Sequence, residues 1–184
     1  MGCGFKWIWK AKIPSKIQIF LWQHFQYAVL TRDVMSRRNW TGNPRCSSCS
    51  EKDMSQHLFL CPLARMIWRT VRSVFGTKLC PNNIWQFYSW CYTFLPDGGR
   101  FYSFGLAAIC WSIWNCRNQA TFGFKFLKIP FEVVFSSCVF LDYGAGLLKS
   151  DDQEAMWRGA MMLRDNVKNM MRICAAAQDD GAMD

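Results

Sequence analysis

The chain has 184 residues, a mass of 21.5 kDa and a formal net charge of +9, from 22 lysines and arginines against 13 aspartates and glutamates. This length fits one compact domain, or two small ones that share a core. Hydrophobic residues make up 51% of the chain and aromatic residues 16%, which is enough apolar surface to exclude wholesale disorder. No run reaches the roughly 20 apolar residues that a membrane span needs.

The excess of positive charge lies entirely in the first two-fifths of the chain. Residues 1–76 contain 12 basic and 3 acidic residues, a balance of +9, whereas residues 77–184 contain 10 of each. A basic region of this density commonly faces an anionic partner, of which nucleic acid is the most frequent and a membrane surface the next. It also occurs as a plain solvated face, and charge alone leaves these alternatives open.

The cysteines and the N-terminus indicate a reducing compartment. Lysines interrupt every apolar stretch near the N-terminus that could act as a signal peptide. The ten cysteines are scattered through apolar segments such as residues 108–111, unlike a disulfide framework. We therefore expect an intracellular protein, in the nucleus or the cytoplasm, whose cysteines lie in the core or bind metal.

The first part of the chain predicts one extended segment and two helices. Residues 5–13 place apolar side chains at odd positions and lysines at most even ones, which predicts an extended segment with a basic face. Pro14 opens a helix whose apolar residues follow the helical period. Thr31 can cap a short helix that runs through Arg38, and residues 40–44 are typical of a loop.

Five further helices are predicted after a cysteine-rich loop. Their limits are Pro62 to Gly76, Asn82 or Asn83 to about Cys91, Phe101 to Asn118, Pro130 to about Tyr143, and about Asp151 onward. The strongest turn of the chain, at residues 96–99, precedes the third of these helices. Because that third helix is apolar on nearly every side, we expect it to be central and buried.

The last helix carries a heptad stripe, with apolar residues that step by four and three from Met156 to Cys174. A stripe this short more often docks on its own domain than on a second helix, but a protein partner for residues 151–177 stays open. The residues from 178 to 184 are expected to be a frayed tail.

These patterns predict an all-α fold, an irregular multi-helix bundle with a small zinc-knuckle-like loop in its N-terminal third. Three parts follow from charge and periodicity. They are a basic metal-binding region (residues 1–76), an apolar helical core region packed on it (77–150), and a C-terminal amphipathic helix with its tail (151–184).

Cys46, Cys49, His57 and Cys61 form the pattern C-x2-C-x7-H-x3-C. A cysteine pair spaced by two lets both thiolates reach one ion from a tight turn, and residues four apart on a helical turn share a face. Three thiolates and an imidazole satisfy tetrahedral zinc with no open position, so we expect structural Zn²⁺. The alternative is a chance arrangement in a cysteine-rich chain.

At these residues the sequence resembles the reverse transcriptase zinc-binding domain found near the C-terminus of plant non-LTR, LINE-like retrotransposon polyproteins. The matching residues are Trp9, Pro14, Lys16, Phe20, Trp22, Leu30, Thr31, Arg37, Arg38, Trp40, Cys46, Cys49, His57, Leu58, Phe59, Cys61, Pro62, Ala64 and Trp68. Residues 111–118, with Phe122, resemble the Trp-x-x-Trp-x-x-Arg-Asn segment that often follows this domain. Together the two matches span about residues 7–122.

The chain departs from the family pattern at two places. Family members usually have four residues between the histidine and the last cysteine, where this chain has three, and many carry a glutamate where this chain has Asp53. The shorter spacing is still compatible with zinc, because an i, i+4 pair also converges on one side of a helical turn. Arg45 and Lys52, beside the cysteine pair, are expected to favour its thiolate forms.

The sequence offers no catalytic constellation. The resemblance implies an upstream polymerase with a Tyr-x-Asp-Asp metal site, yet that motif is absent from the chain. Residues 1–76 contain only Asp33, Glu51 and Asp53 as carboxylates, too few for two-metal phosphoryl chemistry. We therefore expect that the chain is not an enzyme.

The expected function is a non-catalytic, zinc-stabilised module that binds RNA or single-stranded DNA. The candidate contact residues are Lys6, Lys10, Lys12, Lys16, Arg32, Arg37, Arg38, Arg45, Trp7 and Trp40. Trp9 joins them where it is exposed, but we expect at least Trp9 and Trp22 to be buried. The alternative is a stand-alone retroelement-derived protein-interaction module that acts through its C-terminal helix or aromatic surface.

Overall fold

A computed structural model describes residues 5–11, 13–76, 78, 80–90, 102–123 and 130–180. These residues contain nine helices and no strand, which confirms the all-α prediction. The helices are α1 (Lys6–Lys10), α2 (Ser15–Phe25), α3 (Arg32–Ser36), α4 (His57–Leu60), α5 (Pro62–Phe75), α6 (Ile84–Ser89), α7 (Tyr102–Phe122), α8 (Phe131–Ala145) and α9 (Ser150–Asp180). The predicted turn at residues 96–99 and the candidate contact residue Lys12 lie outside the described residues. Among the described helices, none is long and apolar enough to cross a membrane.

Helix α7 lies at the centre of the core, as its sequence predicts. Five consecutive residues, from Leu106 to Cys110, are completely or almost completely buried. Helices α2, α4 and α8 pack against α7, and α9 packs on the outer side of α8. One continuous cluster of buried residues draws on all three predicted parts of the chain.

Local signals set most of the helix boundaries. The Thr31 hydroxyl accepts a hydrogen bond from the backbone N–H of Val34 at 3.4 Å and so caps α3, which ends two residues before its predicted limit. Pro62 is the first residue of α5, and Gly76 ends that helix in the left-handed conformation (φ 63°). The Asn83 side chain caps α6.

The predicted extended segment at residues 5–13 is wrong, because residues 6–10 form helix α1. Ile8 breaks the alternation of apolar and basic residues, and one helical turn buries it completely, whereas a strand would have placed it on the basic face. The side-chain amide of Gln18 donates hydrogen bonds to the carbonyl oxygens of Ile8 (3.1 Å) and Ala11 (2.9 Å). These bonds satisfy the end of α1 and tie it to α2.

The predicted burial of Trp9 and Trp22 is also wrong. Trp9 is 50% exposed and Trp22 is 40% exposed. On α2, residues such as Phe20 and Leu21 face the core. Trp22 is the next residue along the helix and lies outside this core-facing stripe. On α1 the buried position is taken by Ile8.

The heptad stripe of α9 docks on the protein's own core, which was the first of the two predicted alternatives. Met156, Ala160, Leu163 and Val167 are buried, whereas Cys174 at the end of the stripe is exposed. The helix continues to residue 180, so that the predicted fraying from residue 178 is wrong as far as the structure describes the chain.

Candidate metal centre

The sulfur atoms of Cys46, Cys49 and Cys61 form one compact group. The Cys61 Sγ atom lies 3.9 Å from the Sγ atoms of both Cys46 and Cys49, and all three sulfurs lie within 4.8 Å of one another. Zinc–sulfur bonds of about 2.3 Å in a tetrahedron separate the sulfurs by about 3.8 Å. A disulfide would need about 2 Å. The three cysteines therefore fit one zinc ion and are not disulfide-bonded.

A tight turn presents the first two sulfurs. The backbone N–H of Cys46 donates to the carbonyl of Glu51 at 2.7 Å, and the N–H of Ser50 donates to the carbonyl of Cys46 at 2.9 Å. Ser50 adopts the left-handed conformation (φ 60°), and an antiparallel bridge between Arg45 and Lys52 closes the turn. This backbone brings the two cysteines of the C-x-x-C pair to the same side.

The cysteine sulfurs share their protons unequally. A hydrogen bond from the Cys61 thiol lowers the pKa of Cys46, and the backbone N–H of Ser48 and the nearby Arg117 guanidinium lower it further. The same interaction raises the pKa of Cys61, which keeps its proton. Because zinc binds thiolates, metal binding at this group must release the proton that the pair retains.

Arg117 of α7 reaches into the metal centre from outside the cysteine loop. Its guanidinium forms an ion pair with the carboxylate of Asp53, and the two side chains are only 11% and 6% exposed. Its positive charge also lowers the pKa of the Cys46 thiol. Asp53 additionally accepts a hydrogen bond from the backbone N–H of Arg32 at 3.3 Å. A cation on the central helix is thus paired with the loop that carries the cysteines and lowers the pKa of a predicted metal ligand.

Arg32 fastens the same loop to α7. Its guanidinium donates to the carbonyl of Arg45 (2.6 Å), to the Ser47 hydroxyl (2.5 Å) and, through Nε, to the Thr121 hydroxyl (3.0 Å). All three hydrogen bonds are internal to the protein. The side chain therefore positions the cysteine turn against the central helix.

The sequence did not predict the roles of Arg117 and Asp53. The basic residues expected to act on the cysteines, Arg45 and Lys52, are directed elsewhere, to the carbonyl of Ser50 (3.0 Å) and to the carboxylate of Asp33 (2.8 Å). The available signal was the Trp-x-x-Trp-x-x-Arg-Asn segment that contains Arg117. The resemblance at that segment gives its arginine no role.

His57 does not join the group of sulfurs. It is the first residue of α4 and is half-buried, and α4 ends at Leu60. Cys61 caps the end of α4, and its backbone N–H donates to the His57 carbonyl at 3.3 Å, so the i, i+4 relation holds along the backbone while the imidazole lies outside the group of sulfurs. The role of His57 as a fourth ligand stays a prediction. Over the part of the chain that the structure describes, the three cysteines are the sole group of three or more metal-binding side chains.

The candidate nucleic-acid contacts differ in exposure. Those with exposed side chains are Lys6, Lys10, Lys16, Arg37, Arg38 and Arg45, and those that are half-buried are Arg32, Trp7 and Trp40. Trp7 packs against Phe25 with ring centroids 5.8 Å apart. Trp40 packs against Phe122 at 6.4 Å. The structure brings the two tryptophans into the fold and leaves most of the cations in solvent.

Residues 3–68 match the family described as zinc-binding in reverse transcriptase. This match agrees with the resemblance to a reverse transcriptase zinc-binding domain that the motifs predict.

A similar plant protein is a putative ribonuclease H protein of Arabidopsis thaliana, with 27% identity over 135 residues. The alignment covers 67% of this chain and 20% of that protein, so the chain matches about a fifth of the relative's length. No solved structure matches the chain.

Proposed function

We propose that this chain is a non-catalytic, zinc-stabilised module that binds RNA or single-stranded DNA. The observation that carries the proposal is the coincidence of two features in one segment. Residues 1–76 hold the whole excess charge of +9 and also the group of three cysteine sulfurs. Exposed cations such as Lys6, Lys10 and Arg38 leave this charge available to phosphates.

Zinc has a structural role in this proposal. Bound to Cys46, Cys49 and Cys61, the ion would crosslink the cysteine turn to the start of α5 and leave no position for a reacting water once a fourth ligand is present. His57 is the proposed fourth ligand, because it precedes Cys61 by four residues and supplies an imidazole close in sequence. The visible spectrum of the Co²⁺-substituted protein tests this role. Loss of the imidazole in His57→Ala should shift its ligand-field bands and weaken metal binding, and an unchanged spectrum would exclude His57.

The salt dependence of oligonucleotide binding tests the proposal. The logarithm of the binding constant should fall linearly with the logarithm of salt concentration, by about 0.7 for each phosphate of a single strand that is neutralised. Replacing Lys6 and Lys10 by glutamate should lower affinity and flatten this slope. Lys149→Glu is the matched control, because Lys149 is exposed but lies in the charge-balanced part of the chain. Binding that is insensitive to salt would contradict the proposal.

A second candidate function is protein interaction through α9. Its buried stripe is occupied by the core, but the helix also exposes large apolar side chains, namely Trp157, Met161, Met162 and Ile173. Trp157 and Met161 are four residues apart and so share a helix face. Replacing both by glutamine leaves the buried stripe intact. If partner binding is lost in this variant while oligonucleotide affinity is unchanged, the second function is supported.

A further inference from the structure

We propose that Trp9 and Trp22 form a stacking platform for the unpaired bases of a single-stranded nucleic acid. This inference rests on the proposed function and assigns it a site. The two indole rings contact each other, with centroids 6.5 Å apart and planes inclined by 46°. Half of Trp9 and two-fifths of Trp22 are in contact with solvent. Such a pair offers ring surface to a planar ligand, and every base has a π-face to place on it.

The platform is held in place before any ligand arrives. Ile8 of α1 and Leu21 of α2, the residues just before Trp9 and Trp22, are completely buried. Two hydrogen bonds from the Gln18 amide, to the carbonyls of Ile8 and Ala11, fix the end of α1 on α2. Little conformational freedom is therefore left to lose on binding, which favours affinity.

The charge around the platform suits a polyanion. On the single turn of α1, the exposed Lys6 lies three residues before Trp9 and shares its helix face, and the exposed Lys10 lies four residues after Lys6, on the other side of that lysine. Residues 1–32 contain no aspartate or glutamate. The described residues of α6 and α7, which pack on α2, contain none either. On α1, α2, α6 and α7, phosphates beside a stacked base would meet cations and neutral groups only.

An acid-free surface suits a partner that is negatively charged along its whole length, as a nucleic acid is. The exposed Trp157 on α9 provides the contrast, because Glu154 and Asp165 lie on the same helix. That tryptophan combines the same indole surface with mixed charge. Comparing the two sites therefore shows whether an exposed indole is enough for binding, or whether its surroundings must also lack acidic residues.

The experiment measures binding of a fluorescein-labelled oligothymidylate of about 12 nucleotides, a length within the range of single-strand site sizes. Fluorescence anisotropy is recorded for the full chain and for Trp9→Ala, Trp22→Ala and the control Trp157→Ala, each at several salt concentrations. Each platform variant should lose about 5- to 150-fold in affinity, the equivalent of one lost base–aromatic stack. The salt slope should not change, because no charge is removed. A duplex of the same length should bind less tightly, since its bases are already stacked.

The outcomes separate the site from the function. If the unmodified chain binds the oligonucleotide and all three variants bind equally well, the platform is refuted while the proposed function stands. If the unmodified chain binds no oligonucleotide even at low salt, the proposed function fails and the platform with it. Photo-crosslinking of a 5-bromouracil oligonucleotide to the unmodified chain covers the case of a variant that does not fold. Crosslinks at Trp9 or Trp22 support the platform, and crosslinks confined to other peptides overturn it.

Discussion

Replacing Arg117 by methionine removes the buried cation that joins α7 to the cysteine loop. Breaking a buried ion pair from one side costs about 3–5 kcal/mol, because the remaining charge stays buried without compensation. Asp53, the charge left behind, is only 6% exposed but keeps the hydrogen bond from the backbone N–H of Arg32. We therefore expect a loss near the lower end, about 3 kcal/mol, from a total stability on the order of 5–15 kcal/mol.

Urea unfolding followed by circular dichroism, with zinc in excess, measures this loss. The matched control is Arg158→Met, which removes the exposed pair with Glu154, whose side chains are 70% and 72% exposed. An exposed pair of this kind contributes at most about 0.5 kcal/mol. The double variant Arg117→Met, Asp53→Asn should lose less than the sum of the two single variants, because each shares the same broken contact. If Arg117→Met costs no more than Arg158→Met, the buried pair is not a structural link.

Three further predictions concern packing, pH and metal. Gly144→Ala should destabilise the protein by about 1–3 kcal/mol, because the added methyl group collides with a phenyl ring of α7. The added methyl group of Gly159→Ala meets no atom within 4 Å, so this variant should stabilise α9 by about 0.5–1 kcal/mol. Thermal unfolding compares the two variants. Burial lowers the pKa of His24 from 6.5 to about 4. As pH falls, His24 is therefore protonated in the unfolded chain before it is protonated in the folded protein. The free energy of unfolding should fall by up to about 3 kcal/mol between pH 6.5 and pH 4. The same pH series on His24→Leu should lack this component, and equal curves would refute the assignment. Mass spectrometry of the metal content should find one zinc per chain. The zinc should be lost in Cys46→Ser and retained when the exposed Cys174 is replaced by serine. An unmodified chain that is folded but contains no metal would disprove the site.

The predictions that succeeded depend on neighbours in sequence. Pro62 and Gly76 mark the ends of α5 by their own backbone preferences, and the apolar run of α7 requires burial wherever the helix lies. The spacing of the C-x-x-C pair likewise predicts the tight turn between its two cysteines. These features could be predicted because each follows from fewer than about 20 adjacent residues.

The features that were missed depend on packing between distant segments. The ion pair between Asp53 and Arg117 joins residues that are 64 positions apart, and no local pattern specifies it. Helix α1 forms because one apolar residue, Ile8, has a place in the core, which outweighs the alternating pattern around it. The backbone of His57 and Cys61 keeps the predicted i, i+4 relation, but the imidazole lies outside the group of sulfurs, because the spacing does not fix where a side chain is placed.

The contact between α7 and the cysteine loop also orders events during synthesis. At about 5–20 residues per second, the ribosome takes roughly 3–13 seconds to extend the chain from Asp53 to Arg117. For most of that interval all three cysteines have been made, because Cys61 follows Asp53 by eight residues, but the carboxylate of Asp53 has no guanidinium to meet. Metal capture can thus come before burial of the loop. The arrival of α7 is then the step that changes a solvated, metal-binding turn into part of the protein interior.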